Sequence, residues 1–187
     1  MSKNIQILDC TLRDGGLGLE DAEKNDLSHV RFSENDSRMT AGYLADSAID
    51  IIELGSIEIT SDDRTGFCIY KNIEDISKQM PLKKKQNQMF AALYRGPDTP
   101  IDDIPKWNPS LCEAVRVIIR YSELQKSLDF CAALSSKGYK VFVQPMLTMR
   151  YTKEEIQLLI EKSNEMNAYA LYFVDSYGYM ENRDVVD

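Results

Sequence analysis

Residues 9–16 read DCTLRDGG and directly follow the first apolar run of the chain, residues 5–8. A carboxylate and a guanidinium side by side at a strand end suit an anionic substrate held next to a cation. Asp14 could bind a hard divalent metal ion, which prefers carboxylate oxygen ligands. Arg13 could clamp a carboxylate or stabilise a developing enolate. An Asp-Gly turn with a surface ion pair explains the same residues equally well.

Six short apolar runs with β-branched or aromatic residues recur outward from this stretch, and helical patterns separate them. The predicted strands are residues 5–8, 49–54, 89–94, 114–119, 140–143 and 169–174, and the predicted helices are residues 33–48, 72–80, 122–136 and 152–167. Nearly continuous hydrophobicity within a run is typical of parallel strands buried on both faces. Residues 17–32 are polar and residues 95–109 hold four prolines. We therefore predict a surface loop in each place.

Single residues support the helix predictions. Thr152 and Glu155 have the spacing of a capping box. In the first predicted helix, Met39, Tyr43 and Leu44 lie at helical spacing and predict its apolar face.

The alternation of strands and helices admits two architectures, an open doubly wound sheet and a (β/α)8 barrel. A dinucleotide-binding sheet would open a helix with a glycine-rich loop after its first strand. Gly15, Gly16 and Gly18 do follow the first strand, but the polar stretch 17–32 comes next. Periodicity alone does not decide between the two folds. No break in composition divides residues 1–187 into more than one domain.

Two further groups of polar residues lie at predicted strand ends, where both architectures place their active sites. Glu53 interrupts the apolar run 49–54, and a carboxylate buried there needs a partner, for which Arg13 is the natural candidate. Taken alone, Glu53 is better explained as a charge that marks the exit of the strand. Asp175 and Ser176 end the sixth strand and could hydrogen-bond a substrate carboxylate or a metal-bound water. A strand-to-helix turn with an N-cap serine explains them better without further context.

Composition excludes several classes of binding partner for the chain. A net charge of −8 argues against binding to a nucleic-acid backbone, and no apolar run reaches the length of a membrane span. The four cysteines form no CxxC pair and no dense framework, which indicates a reduced, cytoplasmic protein. His29 is the only histidine.

Taken together, residues 9–16, Glu53 and residues 174–178 resemble the HMG-CoA lyase-like, or pyruvate carboxyltransferase-like, family of metal-dependent aldolases. Within it, the 4-hydroxy-2-oxovalerate aldolases are the most similar. The resemblance covers essentially the whole chain in strand order and spacing, and DCTLRDGG is its specific signal. It implies an α/β fold of the (β/α)8 TIM-barrel type. It also implies carbon–carbon bond chemistry through a pyruvate-type enolate on a divalent metal, with Mn²⁺ expected first and Mg²⁺, Co²⁺ or Zn²⁺ as alternatives.

Site residues carry over from the resemblance by position. Arg13 would bind the substrate and stabilise the enolate oxygen, and Asp14 would be a metal ligand. Glu53 would complete the arginine–aspartate–glutamate trio of the superfamily, and Ser176 would contact the substrate. A metal and an arginine that converge on one oxygen supply the electrostatic stabilisation that enolate formation needs.

Two features depart from the family pattern. Leu17 stands where the family has a basic histidine, so either another base acts or the standard mechanism is lost. His29 could substitute, although a lone loop histidine is more often solvated. The family's His-x-His metal ligands belong to a seventh strand, and six strands are predicted before Asp187. We therefore expect residues 1–187 to be the N-terminal portion of a longer enzyme. This portion would lack the seventh and eighth β/α units and would be inactive alone. The alternative is a naturally short, degenerate relative of the family. We also expect self-association through the open edges of its first and sixth strands.

The function that the resemblance implies is retro-aldol cleavage of a small 4-hydroxy-2-oxoacid to pyruvate and an aldehyde. A homo-oligomer and an aldehyde dehydrogenase partner would accompany it. An acyl-CoA-dependent Claisen-type synthase of the same superfamily is the alternative enzyme. Leu17 instead favours a non-catalytic barrel that acts as a binding or assembly module. A nucleotide-binding doubly wound domain would need a proper phosphate loop, which this sequence lacks.

Overall fold

Strand pairing defines the architecture of the chain. The computed structural model describes residues 5–178, 180, 181 and 184. Within them every strand pair is parallel. The strands are β1 (Leu8–Asp9), β2 (Ile51–Ile57), β3 (Ile69–Tyr70), β4 (Met89–Tyr94), β5 (Ala114–Ile119), β6 (Lys140–Pro145) and β7 (Ala170–Leu171). Their order in the sheet is β1-β2-β4-β5-β6-β7, and the short β3 pairs with the end of β2.

The sheet curls into a half-barrel. Neighbouring strands lie about 4.8 Å apart, so a flat sheet in this order would separate β1 from β7 by roughly 24 Å. Instead, the hydroxyl of Tyr169 beside β7 donates to Oε1 of Gln6 beside β1 at 3.0 Å. Arg116 on β5 likewise reaches the sulfur of Cys10, which follows β1, at 3.3 Å. The chain therefore forms a partial TIM barrel, which confirms the predicted fold class.

The structure confirms the six predicted strands and adds a seventh. Residues 89–94 and 114–119 match β4 and β5 in full, whereas β1 and β7 are shorter than predicted. The sequence does not predict β3, because its two residues follow a 3₁₀ turn (Thr65–Phe67) and form no apolar run of strand length. Residues 95–109 hold a short 3₁₀ turn (Ile101–Asp103) and no α-helix, as predicted.

Five α-helices lie within the described residues. They are α1 (Thr11–Lys24), α2 (Glu34–Asp46), α3 (Ile73–Ser77), α4 (Leu124–Ser136) and α5 (Lys153–Glu165). The last four confirm the predicted helices, with ends shifted by up to a few residues. The predicted capping box begins α5, where the Glu155 N–H donates to Thr152 Oγ1 at 3.2 Å and the Thr152 N–H donates to Glu155 at 2.8 Å.

The predicted loop at residues 17–32 is wrong in its first part, which α1 occupies. The buried residues of α1 are Leu12, Gly16 and Glu20. Gly16 lies against the backbone of Phe67, where a Cβ would come within 1.9 Å of the carbonyl oxygen. Glycines at positions 15, 16 and 18 are poor helix formers, so composition indicates a loop where the structure has a helix. Because the loop was the sequence argument against a doubly wound sheet, the curl of the sheet decides the fold instead.

The predicted apolar face of α2 is correct for Leu44, which packs against the core, and wrong for the other two residues. Met39 and Tyr43 are exposed, whereas Ser37, Ala41 and Ala45 are buried. Small side chains at every fourth position let the helix approach β2 closely. Met39 and Tyr43 then point to solvent, so the helical spacing identified the helix correctly but only part of its buried face.

Two layers of apolar side chains surround the strands. The larger layer lies between the sheet and the helices. A smaller cluster fills the inner side of the curled sheet and consists of Ile51, Met89, Ala91, Ala114 and Phe142. No helix in the described part of the chain is both long and apolar enough to cross a membrane.

Candidate functional site

A layer of polar side chains lies above the apolar cluster on the inner face of the half-barrel. Successive side chains of a strand point to opposite faces, so residues two apart share one face. Ile51, Ala114 and Phe142 belong to the inner cluster, and the inner face of β2, β5 and β6 therefore continues with Glu53, Arg116 and Gln144. Tyr172 joins them from the segment that follows β7. Polar groups from four neighbouring regions of the sheet thus meet near its carboxyl end.

Glu53 is the centre of this layer. Its side chain is 0% exposed, and each carboxylate oxygen accepts a hydrogen bond from a different guanidinium, one from Arg13 and one from Arg116. Burial alone would lower the pKa of both arginines, but the neighbouring charge of Glu53 raises each pKa above its usual value. The predicted partnership of Glu53 with Arg13 is confirmed, and Arg116 is a second partner that the sequence analysis did not identify.

The other donors of Arg116 are also satisfied. Its Nε donates to the Tyr172 hydroxyl at 2.7 Å and its Nη2 donates to Gln144 Oε1 at 2.9 Å. The Tyr172 hydroxyl in turn donates to Gln144 Oε1 at 2.7 Å. Nη1 also contacts the sulfur of Cys10, whose pKa is raised by desolvation and by the charge of Glu53. Every nitrogen of Arg116 thus makes at least one hydrogen bond, and this network holds Glu53 in one position.

Arg13 connects the buried network to the surface. Its Nε binds Glu53, while Nη1 and Nη2 face the two oxygens of Asp14 at 2.7 and 3.1 Å. The Arg13 side chain is 18% exposed, whereas that of Asp14 is 61% exposed. The first turn of α1 places both residues directly after β1. Arg13 is therefore a cation of fixed position next to an accessible carboxylate.

These residues open into a cavity of about 880 Å³ at the carboxyl ends of the strands. Arg13, Gln144 and Ser176 line it, and so does Leu17. Ser176 Oγ accepts a hydrogen bond from the Leu147 N–H at 2.8 Å, which leaves the serine hydroxyl hydrogen available as a donor. The structure thus brings three predicted site residues, Arg13, Glu53 and Ser176, to one end of the half-barrel.

Other sequence candidates take different positions. Asp175 accepts backbone hydrogen bonds from Gly178 at 2.8 Å and from Met180 at 2.9 Å, so its carboxylate stabilises the turn after β7. The side chain of His29 is 77% exposed, and its Nε2 lies 3.4 Å from Asp26. His29 does not line the cavity at the strand ends.

The described residues offer a limited set of metal ligands. They contain no group of three or more His, Cys, Asp or Glu side chains that could hold a metal ion. Asp14 has an exposed carboxylate, whose oxygens are hard ligands of the type that divalent cations prefer. This part of the chain alone therefore does not fit a complete divalent-metal site.

A pattern in the sequence could have predicted Arg116 as a site residue. Arg116 interrupts the apolar run 114–119 in the same way that Glu53 interrupts 49–54. Two opposite charges, each within a strand buried on both faces, predict each other as partners. The signal for Gln144 and Tyr172 is weaker, because a glutamine or tyrosine near a strand end is common without a buried partner.

Comparison with known proteins agrees with the architecture. No protein-family model and no curated protein matched the chain. Among solved structures, the chain is similar to the "N-terminal domain of a putative aldolase from Bacteroides vulgatus", with a TM-score of 0.70 and 20% identity over 97% of this chain. It is also similar to the carboxyl transferase domain of Rhizobium etli pyruvate carboxylase, solved with oxamate and biotin, with a TM-score of 0.61 and 14% identity over 97% of this chain. At these identities the similarity shows a shared fold.

The matched proteins are longer than this chain. The chain spans 57% of the Bacteroides vulgatus structure and 32% of the Rhizobium etli structure. Activities, substrates and partners of the whole proteins are therefore transferred below as proposals only.

Proposed function

We propose that this half-barrel forms the substrate-binding part of an aldolase-type carbon–carbon lyase, which cleaves a 4-hydroxy-2-oxoacid to pyruvate and an aldehyde. The observation that carries the proposal is the position of Arg13, which the fully buried Glu53 holds at the mouth of the strand-end cavity. In α/β barrels, catalytic groups lie at this end of the strands. The shared fold with a structure named for an aldolase supports the same class.

Retro-aldol cleavage needs a cation next to the oxygen that becomes negative. The 4-hydroxyl loses its proton, the C3–C4 bond breaks, and the electron pair gives an enolate whose charge resides on the 2-oxo oxygen. Protonation of C3 then yields pyruvate, and the C4 fragment leaves as the aldehyde. Arg13 would stabilise the enolate oxygen, because a preorganised guanidinium in a partly buried site interacts strongly with developing charge.

The surface pair between Arg13 and Asp14 would yield to the substrate at low cost. Asp14 is 61% exposed, so water solvates its carboxylate when the substrate takes its place beside Arg13. The Glu53 contact, by contrast, is fully buried and keeps the guanidinium in place. Ser176 would donate its hydroxyl hydrogen to the substrate. Leu17 lines the cavity without an ionisable group, so the proton of the 4-hydroxyl passes to a group other than residue 17.

We further propose that Asp14 supplies one ligand to a divalent metal ion, Mn²⁺ first, with Mg²⁺, Co²⁺ or Zn²⁺ as alternatives. When bound, such an ion acts as a Lewis acid toward the 2-oxo group. The remaining ligands would come from outside this chain, because the described residues hold no cluster of three metal-binding side chains.

A non-catalytic barrel that binds a 2-oxoacid is the second candidate function. The observation that favours it is Leu17, an apolar residue in the cavity wall at the position where the family resemblance implies a basic histidine. In that case the network around Glu53 would position Arg13 for binding without turnover.

Calorimetry with oxalate, a planar analogue of the pyruvate enolate, tests the proposal on the longest natural form of the protein. We expect binding that Mn²⁺ strengthens, that Arg13→Lys weakens, and that Asp14→Asn makes independent of the metal. Arg38→Lys is the matched control, because Arg38 lies on the exposed side of α2 in a surface pair with Glu34. Oxalate binding that survives Arg13→Lys unchanged would contradict the proposal.

A turnover assay separates the two candidate functions. The longest natural form of the protein is supplied with 4-hydroxy-2-oxopentanoate and Mn²⁺, and pyruvate is detected with lactate dehydrogenase and NADH. Release of pyruvate that depends on Arg13 supports the lyase. Arg13-dependent binding of oxalate without any release supports the binding module.

A further inference from the structure

Four arginines line the cavity at the strand ends. Its charged lining residues are the arginines and carboxylates Arg13, Arg95, Arg120, Arg150, Glu58 and Asp98. Three of the four guanidiniums have carboxylate partners, which lie in the cavity wall or directly behind it. The guanidinium fork matches the two oxygens of a carboxylate in geometry. An arginine of the cavity that lacks such a partner is therefore a candidate to bind an acidic group of a ligand.

Arg150 differs from the other arginines of the cavity. Arg13 binds Glu53, as described above; Arg95 binds Glu58 at 3.0 Å, and Arg120 binds Asp98. Among the residues that the structure describes, Arg150 has no carboxylate partner within ion-pair distance. Its guanidinium therefore retains the capacity to bind an anion from solution.

The backbone that carries Arg150 is anchored at the cavity mouth. Arg150 ends a short 3₁₀ turn, Thr148–Arg150, after β6. Thr148 Oγ1 donates to the Val174 carbonyl at 3.0 Å and accepts from the Val174 N–H at 3.0 Å. The Arg150 guanidinium donates to the Tyr177 hydroxyl at 3.1 Å. These bonds hold the turn against the segment after β7.

The cavity wall also suits the carbon chain of a ligand. Its apolar side chains include Leu17, Ile57, Ile59, Leu93, Ile118 and Met146. Methylene groups would contact these residues while acidic groups bind arginines. A molecule with an acidic group at each end and carbon between them matches this distribution.

We infer that Arg150 binds a second carboxylate of the substrate, on the fragment that leaves as the carbonyl product. The inference rests on the proposed function and names its substrate class, a 4-hydroxy-2-oxo diacid. One carboxylate belongs to the 2-oxoacid end near Arg13, and the other is bound by Arg150. Cleavage of such a substrate gives pyruvate and an oxoacid instead of a neutral aldehyde. A single guanidinium without a carboxylate partner matches the single charge of a carboxylate better than the double charge of a phosphate.

Two five-carbon acids of equal chain length test the inference. 2-Oxoglutarate ends in a carboxylate, whereas 2-oxopentanoate ends in a methyl group. Both are titrated by calorimetry into the full chain with magnesium chloride present. A hydrogen bond to a charged group contributes about 1.5–3 kcal/mol, so we expect 2-oxoglutarate to bind at least about tenfold tighter. Arg150→Gln should bring the ratio of the two affinities close to one, and Arg38→Gln, on exposed α2, should leave it unchanged.

The outcomes separate this inference from the proposed function. Equal affinities in the wild type, or a preference that persists in Arg150→Gln, overturn the inference and leave the proposed function standing if Arg13→Lys weakens both acids. When neither acid binds, or Arg13→Lys affects neither, the proposed function fails and the inference fails with it. Circular dichroism of each variant confirms that the fold is retained.

Discussion

Replacement of Glu53 by glutamine tests the buried network directly. Glutamine has nearly the same shape, so the packing is kept while the negative charge is lost. One arginine would then face an amide NH₂ group instead of an acceptor, and two guanidiniums with side-chain exposures of 18% and 6% would lose their counter-charge. A charged hydrogen bond contributes about 1.5–3 kcal/mol, and removal of one partner from a buried ion pair costs about 3–5 kcal/mol. We expect Glu53→Gln to lower the free energy of unfolding by about 3–5 kcal/mol.

Urea denaturation at neutral pH, followed by circular dichroism, measures this loss. Linear extrapolation gives the free energy of unfolding, and an unchanged slope shows that both variants unfold to the same extent. Glu34→Gln is the control, because Glu34 forms a solvent-exposed pair with Arg38, and exposed pairs contribute little. A loss below about 1 kcal/mol for Glu53→Gln would refute the electrostatic account of the network.

A double-mutant cycle with Arg116→Met isolates the pair. Removal of both charges should cost less than the sum of the two single changes, by roughly 1–3 kcal/mol, because residues in direct contact are coupled. Strict additivity would mean that Arg116 and Glu53 do not stabilise each other.

Three further predictions follow from packing and burial. Gly16→Ala should lower the thermal midpoint of unfolding sharply, because its Cβ would come within 1.9 Å of the Phe67 carbonyl oxygen. Gly42→Ala, at an open helical position, is the control and should raise the free energy of unfolding by about 0.5–1 kcal/mol. Equal effects of the two substitutions would contradict the packing of α1 against Phe67. Desolvation raises the pKa of Tyr172 to about 12, so its neutral form stabilises the fold below about pH 10, and that stability is lost as the pH rises from about 10 to 12. Urea denaturation at the two ends of this interval should show a smaller loss of unfolding free energy for Tyr172→Phe than for the wild type. Burial raises the pKa of Cys112 to about 12, so a thiol reagent at pH 8 should modify it only in urea, and rapid reaction of the folded protein would show that it is accessible.

Local features of the sequence determined much of the secondary structure. The central strands β2, β4 and β5 are buried on both faces, so each is a nearly continuous apolar run, and residues 89–94 and 114–119 were predicted without error. The capping box at Thr152 depends on two residues three positions apart, so it can be recognised directly in the sequence. The pairing of Glu53 with Arg13 also followed from the sequence, because a carboxylate inside an apolar strand requires a cation.

Only the tertiary structure decided how these elements combine. Helix α1 holds three glycines that disfavour a helix locally, and both its close approach to Phe67 and its ion pair between Glu20 and Arg64 form only in the folded chain. The network around Glu53 joins Arg116, Gln144 and Tyr172 from strands far apart in the chain, and it forms because the sheet curls and brings their inner faces together. Curl depends on the packing of all strands and helices at once. No local sequence pattern predicts the curl of the sheet, so the convergence of the site residues could be seen only in the folded structure.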